Sequence, residues 1–265
     1  MQKRISSLQN PSVKSLIQLK EKSRQRKKSG TFVIEGLREL KLAINAGYEI
    51  KELWICPDLG AHLDQIESST DLNFSVYEVS KEVYAKVAHR NATEGFLAVA
   101  LHKAHELTAL NLPKNPLILI AEAPEKPGNI GALLRTADAA GVDAFILANP
   151  RTDLYNPNTI RSSVGAVFTV PIAMATASEC ISFLQERKVK LYSAILQESI
   201  SYENVDFSQA AAIAVGTEAD GLSKLWRKNC EQNIHIPMQG KLDSMNVSVA
   251  AGILIFEARR QRGFK

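Results

Sequence analysis

The unbroken apolar stretch Leu117–Ala121 returns in kind at Ala144–Ala148 and again at Ala211–Val215. A strand with one wet face alternates apolar and polar residues. A strand without that alternation has to be covered on both faces, as in a parallel sheet with helices above and below. The segments between these runs fit that demand. Gly128–Ala140, Ser178–Arg187 and Ser223–Asn229 read as helices, and Ser162–Val167 as a short helix or turn. Further strands are expected at Phe168–Pro171, Lys190–Leu196 and Ile234–Ile236. Such alternation over about 150 residues predicts an open, mostly parallel α/β sheet.

The chain then closes on an apolar helix, from Val247 through Phe256 to Arg259, Arg260 and Arg262. Ser244 or Asn246 can cap its start, and the arginines suit its negative pole. Small residues at Ser248, Ala250, Ala251 and Gly252 would admit another backbone closely.

Ahead of the sheet, the first 100 or so residues read as a smaller α/β unit. Strands are expected at Thr31–Glu35, Ile50–Cys56, Phe74–Val79 and Phe96–Leu101, and helices at Leu37–Ala46, Ala61–Glu67 and Lys81–Val87. The division expected is 1–105, a linker at 106–115 within the polar stretch His102–Pro116 that carries two prolines, and a second domain at 116–265.

Charge is distributed unevenly. Residues 1–28 hold nine Lys/Arg and one Glu, while the rest of the chain holds 23 basic and 27 acidic residues. Pro11 opens a helix with an apolar stripe at Val13, Leu16, Ile17 and Leu19. Lys14, Lys20, Lys22, Arg24, Arg26, Lys27 and Lys28 surround it with few acidic partners, a pattern that points to a phosphate backbone rather than a solvated helix face. Three scattered cysteines and no histidine cluster argue against a disulfide framework or a metal site. Apolar runs fall short of the roughly 20 residues of a bilayer span. The start has no apolar signal segment, so a cytoplasmic location without membrane contact is expected.

Three loops follow strands of the second domain, where open α/β sheets bind ligands. The first, Glu125–Arg135, carries Pro127, Gly128, Asn129 and Arg135; the second, Val215–Ser223, holds Gly216, Thr217, Glu218 and Gly221; the third runs from Gly240 to Ser248. A dinucleotide fingerprint would need a third glycine in the first loop, and a Walker loop would need Gly-Lys-Ser/Thr. Neither is present in these loops.

Taken together, in this order and spacing, the loops resemble the three motifs of the SpoU methyltransferases of the SPOUT class. The matching residues are Asn129 and Arg135, then Gly216, Glu218, Gly221 and Leu222, then Pro237, Ser244, Asn246 and Ser248. Residues 1–105 look like the L30e-like RNA-binding domain often fused ahead of it. Met245 stands where the family frequently has Leu, and Asp220 adds a negative charge near the expected substrate.

The resemblance implies a C-terminal trefoil knot that binds S-adenosylmethionine, a homodimer through the C-terminal domain, and methyl transfer to a ribose 2′-hydroxyl of RNA. Gly216, Thr217, Glu218, Ile236, Met238, Gly240, Ser244 and Met245 would hold the cofactor. Arg135 would act with Asn129, Glu218, Ser244 and Asn246 in catalysis. Because arginine keeps its proton to above about pH 12, a phosphate clamp is the role expected of Arg135, and a general base the alternative. Structured ribosomal RNA is the first expectation for the substrate and transfer RNA the second. A non-catalytic RNA-binding protein on the same fold is the competing reading, and a dehydrogenase is disfavoured by the missing fingerprint.

Overall fold

The computed structural model describes residues 3–66, 74–88, 94–217, 220–241 and 244–264. The chain divides into two compact units, one of residues 1–103 with 155–160, the other of 104–154 with 161–265.

The first unit runs β1 (Lys3–Ile5), α1 (Pro11–Glu21), α2 (Ser23–Ser29), β2 (Thr31–Glu35), α3 (Leu37–Asn45), β3 (Ile50–Ile55), β4 (Ser75–Val79), α4 (Lys81–Val87) and β5 (Phe96–Leu101). Its five-stranded sheet has the order β1-β4-β3-β5-β2. Strands β1, β4 and β3 are parallel, and β5 runs antiparallel to both β3 and β2. The helix expected at Ala61–Glu67 is a single 3-10 turn at Leu63–Gln65, with residue 67 outside the described residues.

Asn10 caps α1 by accepting from the Ser12 amide at 2.9 Å, and Val13, Leu16 and Leu19 form its buried stripe. The cationic segment behind it serves two purposes. Arg26 is 1% exposed and donates to the carbonyls of Leu19 (2.6 Å) and Lys20 (2.9 Å), tying α2 to the end of α1. Lys20 donates to the Val87 carbonyl and lies 4.0 Å from Glu35, and burial lowers its pKa. These two cations are spent on the fold, which corrects their assignment to an RNA surface. Lys14, Lys22, Arg24, Lys27 and Lys28 remain exposed.

The inclusion of 155–160 in this unit has a clear cause. The Tyr155 ring stacks on Phe32 (4.1 Å between centroids) and on His102 (4.5 Å), and its hydroxyl lies 3.2 Å from that of Tyr48.

The second unit begins with a stretch expected to be a linker. Its leucines, Leu107, Leu110 and Leu112, pack against that unit's own core instead. There follow β6 (Leu117–Glu122), α5 (Pro127–Ala140), β7 (Ala144–Ala148), α6 (Pro157–Ser163, of which only 161–163 fall in this unit), α7 (Ala166–Thr169), β8 (Ile172–Ala175), α8 (Ala177–Glu186), β9 (Lys190–Ala194), β10 (Ile200–Ser201), β11 (Ala211–Val215), α9 (Lys224–Asn229), β12 (Gln232–His235) and α10 (Val247–Gln261). The sheet has seven strands, all parallel, in the order β10-β12-β9-β11-β6-β7-β8.

The apolar runs sit side by side at its centre, Leu117–Ala121 in register with Ala211–Val215. Helices α8 and α9 cover the face carrying Ile118, Ile120, Ile146, Ala212 and Ala214. Helices α5 and α10 pack on each other and cover the opposite face, as the two-residue period of a strand requires. One strand was misplaced by sequence reasoning. Residues 166–169 form a helical turn closed by the Val170 amide on the Ala166 carbonyl, and the strand starts only after Pro171, which has no amide to give a ladder.

Candidate active site

Three parallel strands, β12, β9 and β11, end at the same edge of the second unit, and a cavity of about 390 Å³ opens there. Its geometry begins with the turn after β11. Thr217 and Gly221 exchange backbone hydrogen bonds of 3.3 and 3.0 Å, which bring these two residues face to face. Gly216 lies so close beneath it that a β-carbon there would stand 2.1 Å from the carbonyl carbon of Gly221. Gly221 itself has φ +64°, which glycine adopts without the clash of a side chain.

The far end of the loop is pinned by a buried carboxylate. Glu122, at the end of β6 and 6% exposed, accepts from the Ser223 amide (2.7 Å) and the Ser223 hydroxyl (2.8 Å). Glu122 was not foreseen; the sign it left in the sequence was a carboxylate ending an otherwise apolar run.

A second wall comes from the segment between β12 and α10, through Ile236, Met238, Ser244 and Met245. A third follows β9, at Ile195, Leu196 and Gln197, which sequence reasoning also missed. Of the residues expected to hold a cofactor, Gly216, Thr217, Ile236, Met238, Ser244 and Met245 line this one cavity. Gly240 does not, and Glu218 lies outside the described residues.

The start of α10 is set by Asn246, whose side-chain oxygen accepts from the Ser248 amide (2.9 Å) and hydroxyl (2.6 Å). Its amide nitrogen reaches the side-chain oxygen of Asn129 at 3.4 Å, near the start of α5. At the other end, Arg259 donates to the Ala140 carbonyl at 2.6 Å. Helices α5 and α10 therefore run parallel, and their positive poles share one end of the unit. Midway, a β-carbon on Gly252 would sit 3.8 Å from Thr136, an ordinary contact. The closeness of these helices does not depend on that glycine.

Arg135 is exposed on α5. It lies about 100° around the helix from the stripe of Asn129 and Thr136 that faces α10. Asn129, Ser244 and Asn246 gather at the cavity end of α10, whereas Arg135 stands on the flank of the neighbouring helix.

Cys56 and Cys180 are buried, and burial pushes the Cys180 thiol up to about 12. Among the described residues, no group of three or more His, Cys, Asp and Glu side chains is arranged to hold a metal ion, and no helix is long and apolar enough to cross a membrane.

This parallel sheet with its cavity at the strand ends has the SPOUT-type methyltransferase fold of solved SpoU structures. The SpoU rRNA Methylase family model matches residues 116–256, and the chain belongs to that family. A second family model, the MRM3-like substrate binding domain, matches residues 10–98. The 23S rRNA (guanosine(2553)-2′-O)-methyltransferase RlmP of Bacillus subtilis is 30% identical over 97% of this chain and 99% of its own length. The 23S rRNA (uridine(2479)-2′-O)-methyltransferase of Streptomyces viridochromogenes is 27% identical over 90% of this chain and 85% of its own. Among solved structures, the AdoMet-bound rRNA methyltransferase from Sinorhizobium meliloti superposes with a TM-score of 0.90 at 30% identity, covering 98% of both chains.

Proposed function

We propose that this chain transfers a methyl group from S-adenosylmethionine to a ribose 2′-hydroxyl of 23S ribosomal RNA, acting in the cytoplasm. The observation that carries the reading is the single cavity on which the second and third sequence motifs converge, with Asn129 of the first motif bonded to Asn246 beside it. The cavity fits the cofactor: its size suits a small-molecule ligand, and its wall combines Leu196, Ile236 and Met245 with the polar groups of Thr217, Asp220, Arg227 and Ser244. When bound, S-adenosylmethionine supplies a methyl group already activated by its sulfonium. The work left to the protein is to hold the ribose in line and ease the loss of its proton.

Asn129, Ser244 and Asn246, with Glu218, orient the sugar in this reading, and Arg135 clamps the neighbouring phosphate. The closing segment is threaded as a trefoil knot. Ribosomal rather than transfer RNA is favoured because the relatives that match nearly the whole chain are rRNA enzymes. A solved structure that concerns 2-OH methylation of C/U34 on tRNA covers only 58% of this chain. The test is to incubate the purified chain with radiolabelled S-adenosylmethionine and unmodified 23S rRNA, then map 2′-O-methyl sites. No incorporation, with no cofactor binding by calorimetry, would reject the proposal.

The first unit, extending to about residue 105, binds the RNA through Lys14, Lys22, Arg24, Lys27 and Lys28. Changing these five to Gln is expected to weaken RNA binding and to flatten its salt dependence by roughly one unit of slope per lost phosphate contact. Cofactor affinity should stay the same. Changing Arg26 to Ala is expected instead to lower stability by about 1–3 kcal/mol, because a buried and a part-buried carbonyl lose their donor. An unchanged salt slope in the five-fold variant would remove the RNA role from this surface.

The protein acts as a homodimer through α10, where Val249 (53% exposed) and Phe256 (40%) leave an apolar stripe with Ile253 between them. A Phe256→Glu variant is expected to sediment as a monomer at concentrations where the wild type is dimeric. A monomeric wild type would refute the dimer.

A further inference from the structure

The cavity wall contains a cation that none of the three sequence motifs accounts for. Arg227, on α9, is half-buried and lines the cavity. Its Nε donates to the Leu222 carbonyl at 3.2 Å. That bond fixes the guanidinium to the pinned loop, since Leu222 is 1% exposed and the next residue, Ser223, is held by Glu122. An arginine has five donor hydrogens, and this contact uses one. Among the described residues, no carboxylate pairs with Arg227, although it is the one lysine or arginine that lines the cavity. The carboxylate in the described wall, Asp220, belongs to the same loop.

A ligand that suits this wall carries one anionic group and at least one cationic group. S-adenosylmethionine carries an α-carboxylate, an α-ammonium and a sulfonium. We propose that Arg227 holds the α-carboxylate of the cofactor's amino-acid end through its two terminal nitrogens. The inference rests on the cofactor assignment above and adds which end of the cofactor is read by charge. Planar guanidinium and planar carboxylate match as a fork, which a lysine cannot reproduce.

The experiment compares two ligands that share the adenosyl thioether and differ in the amino-acid end: S-adenosylhomocysteine and 5′-methylthioadenosine. Each is titrated into the full chain by calorimetry, with weak binding read by displacement. In Arg227→Gln, affinity for S-adenosylhomocysteine is expected to fall about 10- to 100-fold, the size of a charge-assisted contact. Affinity for 5′-methylthioadenosine should stay within about 2-fold, because that ligand has no carboxylate to lose. Arg227→Lys, which keeps charge and stem, should fall between, and melting temperatures confirm that both variants fold. An equal loss for both ligands would place Arg227 against the adenosyl group and overturn the proposal, as would no loss for either. A wild-type chain that binds neither ligand would instead overturn the cofactor assignment.

Discussion

An Arg135→Lys enzyme is expected to bind S-adenosylmethionine as tightly as the wild type and to methylate RNA about 100-fold more slowly, the scale of a lost orientation in an in-line transfer. The separation of the two effects comes from where Arg135 stands. It is exposed on α5, on the flank of the helix rather than on the stripe that packs against α10, and it does not line the cavity proposed to hold the cofactor. The fold therefore loses little with its replacement, and melting should be unchanged. A clamp on a phosphate depends on two parallel hydrogen bonds from one rigid plane, and lysine offers a point charge on a flexible stem. The same variant separates clamp from base. A lysine deprotonates near pH 10.4, well below arginine, so a base role would let the variant regain rate as pH rises toward that value. A clamp role predicts no such recovery. Full turnover at neutral pH would remove the bidentate hold altogether, and a matching loss of cofactor affinity would make Arg135 a structural residue.

The sequence made the second unit legible because its signals were local. Unbroken apolar runs at 117–121, 144–148 and 211–215 needed two covered faces, and the structure gives them two. Strand β8 was misplaced because Phe168 and Val170 look like strand residues, while the Val170 amide closes a helical turn instead. Strands β1 and β10, of three and two residues, are too short to show any period.

The site was harder to read. Loop glycines and cap residues identified two of its walls, because tight turns and helix starts require those residue types. The wall after β9 went unread, because Ile195, Leu196 and Gln197 have side chains that any loop tolerates. Arg26 shows the converse error. Within a run of lysines and arginines it reads as one more surface cation, and only packing reveals that its donors are spent on two backbone carbonyls. The boundary between the units was equally hidden. Tyr155 belongs with the first unit through ring contacts to Phe32 and His102, residues more than 50 positions away in the chain.

The largest loss of cofactor binding is expected from adding one methyl group, in Gly216→Ala. A β-carbon at this position would stand 2.1 Å from the carbonyl carbon of Gly221, 2.3 Å from the amide nitrogen of Leu222 and 2.4 Å from the Gly221 oxygen, where ordinary contact begins at 3.4 Å. All three neighbours are backbone atoms, so no side chain can swing aside. The loop would have to rise by about 1 Å, in a place where overpacking typically costs about 1–3 kcal/mol. Rising strains the Thr217–Gly221 hydrogen bonds and pulls against the two bonds from Ser223 to Glu122. Gly216, Thr217, Asp220 and Gly221 all line the cavity, so the strain is delivered to the wall proposed to hold the cofactor. Affinity for S-adenosylhomocysteine should fall by about 100-fold or more, equivalent to about 2.7 kcal/mol, with a modest drop in melting temperature. Two other glycines calibrate the effect. Gly128 has open space around its β-position and ordinary φ, so Gly128→Ala should bind as the wild type does. Gly221→Ala also meets no atom within 4 Å but must hold φ at +64°, and should lose about 1–2 kcal/mol of stability through backbone strain alone. If Gly216→Ala bound the ligand no worse than Gly221→Ala, steric closure of this loop would not be what shapes the cavity.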